Sequence, residues 1–236
     1  MISNRKLLAI IPARGGSKRL PNKNILDLAG KPLIVWTIDA AKKSKYIDRI
    51  VVSTDSSRIA EIALKAGAEV PFMRPEHLAQ DDTSTYDVVD HTLTQLRNYG
   101  NQYECLLLLQ PTSPLRKSEH IDGAADLFTA KNADAVISVT GVDHLNEWSG
   151  NIPKSLCMEK YFQGKTEKQS QELSIKYKIN GAIYLVDVSK LSKYKTFFIP
   201  NNIFAYQMEK EVSIDVDIQF DFDISEYLIK QRSSMD

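Results

Sequence analysis

The chain has 236 residues, enough for one large domain with a sizeable core. Lys and Arg number 30 and Asp and Glu number 30, so the net charge is zero. That balance argues against a general nucleic-acid or membrane-surface role, which needs a broad basic face, and leaves local charge clusters to carry the information. The two cysteines, Cys105 and Cys157, have neither metal-ligand spacing nor a disulfide framework, and Cys105 in "ECLLLLQ" reads as a buried, inert thiol. The apolar run in "MISNRKLLAIIP" is too short for a signal peptide, and no stretch approaches a membrane span. The expected location is the cytoplasm.

In chain order, strand and helix patterns alternate. "KLLAIIP" reads as a buried strand, and "PLIVWTIDAAKKS" carries apolar residues at helical spacing. "RIVVST" is a second strand. "SSRIAEIALKAGA" is a helix with Ser56 as its cap and Gly67 as its stop. "AEVPFM" reads as a short third strand, "TYDVVDHTLTQLRNYG" as a helix ending at Gly100, and "ECLLLLQ" as a strand covered on both faces. "SEHIDGAADLFTAKNA" is a helix and "DAVISVT" a strand. This alternation predicts an α/β fold, a doubly wound and mostly parallel sheet with ligands at the strand ends. Residues 141–180 break the pattern: they are polar and weakly periodic, and so long a segment in a compact domain needs a function. It reads as a lid, or as an arm packed on a partner subunit. "NGAIYLVD", "FFIP", "IFAYQM" and "VSIDVDI" then read as strands, and "DISEYLIKQR" as a last helix opened by a capping box of Asp223 and Glu226.

The densest chemical signal is "AIIPARGGSKRLPNKN", residues 9–24. It leaves the first strand through Pro12 into two glycines and a run of Arg14, Lys18, Arg19, Lys23 and Asn24. Neither G-x-G-x-x-G nor G-x-x-x-x-G-K-[ST] is present. Gly15 and Gly16 nonetheless allow close backbone approach to an anion, and Arg14, Lys18 and Lys23 would neutralise a triphosphate. The alternative is a solvated basic loop. Far along the chain, Asp215 and Asp217 lie two apart in a strand pattern, which puts both carboxylates on one face, roughly 6–7 Å apart. Two readings stand: a Mg²⁺ pair, which suits a hard cation shared with substrate phosphates, or the wet face of an edge strand. A basic loop with an acidic pair suggests phosphoryl or nucleotidyl transfer.

At this point the sequence resembles the acylneuraminate cytidylyltransferases, the CMP-sialic acid synthetase family with its legionaminate and pseudaminate relatives. The resemblance rests on "IIPARGGSKRLPNKNILDLAGKPLI", "RIVVSTD", "VPFMRPEHLAQDDTST", "LLLLQPTSPLR", "INGAIYL" and "SIDVDI", in the family's order over nearly the whole chain. It implies a Rossmann-like fold over residues 1–236, and a homodimer in which the 141–180 arm reaches the neighbouring subunit. It implies transfer of CMP from CTP to the anomeric hydroxyl of a nine-carbon 2-keto sugar acid, with Mg²⁺. The loop Ala13 to Asn24 would hold CTP: Arg14 and Ser17 on the nucleotide, Lys18 and Lys23 on the phosphates, Asn24 nearby. Arg74 and Thr85 match cytidine contacts, and Asp215 and Asp217 match the metal carboxylates. Gln110, Asn180, Tyr184, Phe197 and Phe198 match the acceptor pocket, although by pattern alone Phe197 and Phe198 read as strand core. Arg116 reads as a residue that holds its loop.

The chain also departs from the family. Before "NGAIY" the expected arginines and proline fall at Ser170, Lys178 and Ser174. Arginine binds a carboxylate through two parallel hydrogen bonds; serine does not, and lysine acts as a point charge. The acceptor pocket is therefore altered, with Lys178 as the remaining cation, and a histidine-rich turn near Lys154 is absent. No histidine stands out as a base, which leaves metal-bound hydroxide or solvent. Two other classes are open: a nucleotide-binding homologue without chemistry, and a different nucleotidyltransferase such as a Kdo cytidylyltransferase.

Overall fold

A computed structural model describes residues 1–142, 154 and 176–233. Its centre is a six-stranded sheet: β1 (Leu7–Pro12), β4 (Arg49–Ser53), β5 (Cys105–Leu108), β6 (Ala135–Val142), β7 (Lys176–Asp187) and β8 (Ile203–Met208), in the order β4-β1-β5-β7-β6-β8. The pairs β1–β4, β1–β5 and β6–β8 are parallel; β7 is antiparallel to both neighbours. A two-residue hairpin, β2 (Asp27–Leu28) with β3 (Lys31–Pro32), turns through Ala29 and Gly30, both at positive φ.

The strand alternation sorts side chains into two cores. On β1, Leu7, Ala9 and Ile11 face one and Leu8 and Ile10 the other; on β5, Cys105 and Leu107 oppose Leu106 and Leu108. Helices α1 (Leu33–Lys43), α2 (Ser57–Lys65), α4 (Ser118–Ala130) and α6 (Gln219–Ser233) supply Ile34, Ile59, Phe128 and Ile229 to the first core. Helices α3 (Thr85–Asn98) and α5 (Val188–Tyr194) supply Leu93 and Leu191 to the second. Burial of each such aliphatic side chain contributes about 1.5–3 kcal/mol. The doubly wound, mostly parallel sheet predicted from the alternation is the one observed. Ser56 caps α2 by accepting the Ile59 N–H, and Gly67 stops it at positive φ.

Four expected elements are corrected. "AEVPFM" forms only a single bridge, Val51 to Glu69. "FFIP" is a bend after α5; Phe197 and Ile199 are buried by packing, with no strand partner. "VSIDVDI" is not a strand. It leaves a short 3₁₀ turn at Lys210–Val212 and runs beside the sheet without a ladder, anchored by the Val216 N–H on the Thr112 carbonyl (2.8 Å). Helix α6 starts at Gln219, so Asp223 lies inside it; Asp221 instead accepts the N–H groups of Asp217 (2.9 Å) and Ile218 (3.0 Å). The arm shortens as well: Gly141 and Val142 pair with Tyr177 and Lys176 as the ends of β6 and β7. Ser170, Ser174 and most of the segment between lie outside the described residues.

Candidate active site

Parallel β1, β4 and β5 deliver their C-terminal loops to one edge of the sheet, which is where an open α/β sheet binds ligands. Ala13 leaves β1 buried, its N–H on the Ser53 carbonyl (2.9 Å). Asn24, also buried, donates from its amide to the Arg14 carbonyl (3.0 Å) and folds the basic loop back on itself. This cross-brace turns Arg14, Ser17, Lys18, Arg19 and Lys23 toward one cavity of about 480 Å³, with Asn24, Asp81, Gln110, Thr112 and Asp217 among its other walls.

Every cation in that cavity faces a carboxylate. Arg14 pairs with Asp81 (2.6 Å), and Lys18 pairs with the other oxygen of the same group. These two cations hold the Asp81 carboxyl below its ordinary range. Arg19 and Lys23 divide the two oxygens of Asp217, each at 3.0 Å. Lys23, whose side chain is only 12% exposed, also donates to the Val216 carbonyl (2.6 Å). The Gly15 N–H donates to Asp55 (2.9 Å).

Asp215 and Asp217 sit together, but on an extended loop. Partial burial pushes the Asp215 carboxyl up, a hydrogen bond from Thr112 opposes this, and the Asp217 charge adds to the rise. A hard cation would relieve such a like-charge pair, so the donor set fits Mg²⁺ completed by phosphate and water. No group of three or more His, Cys, Asp or Glu side chains arranged for a metal occurs among the described residues.

Gln110 ends β5's apolar run and also lines a second cavity, of about 280 Å³, with Thr85, Tyr184, Phe197 and Phe198. Tyr184 and Phe197 meet edge to face, centroids 5.6 Å apart. Burial above all, and then the charge of Asp215, push the Tyr184 phenol up. The Gln110 side chain passes over Gly181, which sits at φ 76°; a Cβ there would lie 2.6 Å from Gln110 Oε1. The positive φ is what favours glycine there; the Gln110 amide, at the far end of a flexible side chain, would have to shift for a Cβ.

The structure brings the loop cations, Asp217 and Gln110 to the basic cavity, and Gln110, Tyr184, Phe197 and Phe198 to the aromatic one; Asp215, which feels the charges of Asp217 and Lys23, lines neither. Thr85 falls in the aromatic cavity, away from the basic one. Arg74 is buried, its guanidinium engaged with Ser53 and the Leu78 carbonyl, and burial pushes it down to about 10. Asn180 is 3% exposed and its amide is saturated: Oδ1 accepts from Ser138 (2.6 Å) and the Ala182 N–H (3.2 Å), while Nδ2 donates to Ser213 (2.9 Å) and meets Met208 Sδ (3.4 Å). Lys178 lines a separate hollow with Lys210 and Ser213. Fully buried Arg116 donates to the Gln110 and Ala182 carbonyls and to Thr37, so it does hold its loop. Sequence reasoning missed Asp55, Asp81, Arg19 and Thr112 as members of the site. The "QDDTST" acids carried no periodic signal, and only the fold puts Asp81 opposite Arg14 and Lys18.

A family model described as "Cytidylyltransferase" matches residues 8–231. The chain belongs to the cytidylyltransferase family. Among its relatives, a CMP-N,N'-diacetyllegionaminic acid synthase of Legionella pneumophila is 39% identical over 228 residues, 95% of this chain and 97% of the relative. An N-acylneuraminate cytidylyltransferase of Escherichia coli is 37% identical over 93% of this chain, which spans 51% of that longer protein. A solved CMP:2-keto-3-deoxy-manno-octonic acid synthetase complexed with CTP superimposes with a TM-score of 0.71 at 17% identity, covering 96% of this chain and 99% of that one. That likeness shows the nucleotidyltransferase-type fold of this cytidylyltransferase.

Proposed function

We propose that this cytidylyltransferase transfers CMP from CTP to the anomeric hydroxyl of a nonulosonic acid, releasing pyrophosphate. The observation that carries the proposal is the adjacency of two unlike cavities across Gln110: one lined by four cations, the other by aromatic rings. A triphosphate fits the first and the apolar face of a sugar acid the second. The relatives named for legionaminic and N-acylneuraminic acids support that acceptor class.

In the proposed reaction the sugar hydroxyl attacks the α-phosphorus. The new O–P bond forms as the bond to the leaving pyrophosphate breaks, and the hydroxyl proton passes to solvent or a base. Lys23 is the least exposed of the basic-loop amines and offsets charge as it develops on the phosphate oxygens. Arg14 and Lys18 orient the polyphosphate, and Gln110 fixes the acceptor against the nucleotide. Asp215 and Asp217 would hold Mg²⁺, which supplies charge neutralisation on the phosphates. No helix of the described residues is long and apolar enough to cross a membrane. A cytoplasmic homodimer completes the proposal, and sedimentation of the purified chain tests the dimer.

A second reading, an N,N'-diacetylated acceptor, draws support from the full-length relative and from the placement of Lys178. That lysine lines a hollow apart from the aromatic cavity, so it does not restore there the arginine the pattern lacks. Pyrophosphate release from CTP and Mg²⁺ is the test, with N-acetylneuraminic, legionaminic, pseudaminic and Kdo acceptors. Turnover of a nonulosonic acid is expected; preference for Kdo, or no release with any acceptor, refutes the proposal.

A further inference from the structure

The four cations of the basic loop are already held by carboxylates belonging to the chain itself. Asp81 bridges Arg14 (2.6 Å) and Lys18 with its two oxygens. It does so from outside the loop: the turn at Glu76–Leu78 and the Arg14 Nη1 donation to the Ala79 carbonyl (3.3 Å) bring residues 79–81 over the cavity. The Asp81 carboxylate is half-exposed and itself lines the cavity, so it lies where a phosphate would meet the same cations. Neither Arg14 nor Lys18 has another carboxylate partner among the described residues.

We propose that Asp81 is an affinity-setting residue of the nucleotide site, an internal counter-anion that competes with the polyphosphate for Arg14 and Lys18. This rests on the nucleotide reading of the cavity and deepens it. A carboxylate carries one charge and two acceptor oxygens; a triphosphate carries several of each, and it wins only by contacting both cations at once. The competition therefore lowers the affinity of every phosphate ligand and lowers it most, in relative terms, for those with a single phosphate. It also returns a partner to Arg14 and Lys18 as pyrophosphate departs, which favours product release. Exposed and half-exposed pairs of this kind have modest strength, so the expected gain on removing the charge is about three- to tenfold in affinity.

The test is calorimetric titration of the full chain with CTP in Mg²⁺, with inorganic tripolyphosphate, and with cytidine. Wild type is compared with Asp81→Asn, which keeps shape and removes charge, and with Asp81→Ala. The expected result is CTP and tripolyphosphate binding about three- to tenfold tighter in both variants, with cytidine affinity unchanged. Adding Lys18→Gln to Asp81→Asn should abolish most of the gain. Unchanged or weaker tripolyphosphate binding in both variants, each folded by circular dichroism, overturns the proposal. The two readings separate cleanly. Wild type binding CTP while the variants gain nothing refutes the competition and leaves the function. Wild type failing to bind CTP while the variants gain tripolyphosphate affinity refutes the function and leaves the competition.

Discussion

The two cavities that meet at Gln110 are built by opposite means. The basic one is a charge assembly: Arg14, Lys18, Arg19 and Lys23 held by Asp81 and Asp217, on a loop cross-braced by Asn24. The aromatic one is a packing assembly: Tyr184 against Phe197, with Phe198 at its mouth. Charge in a loop has no structural need and so announces function in a sequence. Aromatic residues near strands are needed for cores everywhere, and their use at a site is visible only once exposure is known.

That contrast can be attacked from its strongest point downward. Lys23→Ala should lower kcat by about 10²–10³ in pyrophosphate-release kinetics, with melting little changed, since it removes the cation proposed to act on developing charge. A loss of only a few-fold would remove Lys23 from the chemistry. Phe197 and Phe198 then separate packing from recognition. Phe197 is 7% exposed and Phe198 is 61% exposed. Phe197→Ala should cost about 3–5 kcal/mol of stability in denaturant melts, whereas Phe198→Ala should cost under about 0.5 kcal/mol. Phe198→Ala should instead raise the acceptor KM several-fold and leave the CTP KM alone. Equal effects on both KM values would dissolve the division between the cavities.

Asn180 tests the boundary itself. Its amide ties Ser138 on β6 to Ser213, two residues before Asp215. Asn180→Ala should destabilise by about 1–3 kcal/mol, because it orphans buried partners. It should also raise the Mg²⁺ concentration needed for half-maximal rate more than it raises the acceptor KM. The reverse order would return Asn180 to direct acceptor contact. The smallest effect is expected at Cys105. Burial pushes its thiol up to about 11. The neutral form therefore dominates throughout the neutral range, with a thiolate share on the order of one in a thousand at pH 8. Peptide mapping after thiol labelling at that pH should find Cys105 unmodified until denaturant is added.

Much of the fold was legible because buried strands and amphipathic helices have different periods: β1, α2 with its Ser56 cap, α3 and β5 were all readable. The errors share one cause. "VSIDVDI" alternates as a strand does, but a strand also needs a partner, and pairing is not written in one segment's period. "FFIP" and "AEVPFM" failed in the same way. At the site, the loop cations and the Asp215–Asp217 pair were legible as charge clusters. Asp81 was not, because its meaning depends on which loop lies opposite. Asn180 looked like a ligand by resemblance, whereas its four contacts within the chain are facts of packing that only coordinates reveal.

Among the described residues, strand β7 is the sole hydrogen-bonded seam between the β4-β1-β5 half of the sheet and the β6-β8 half. It is contributed late, at Lys176–Asp187. A growing chain can pair β1, β4 and β5 early, but β5 and β6 must wait with open edges until β7 emerges between them. Such edges invite pairing with other chains. Until β7 is made, the facing edges of β5 and β6 stay open to pairing with other chains.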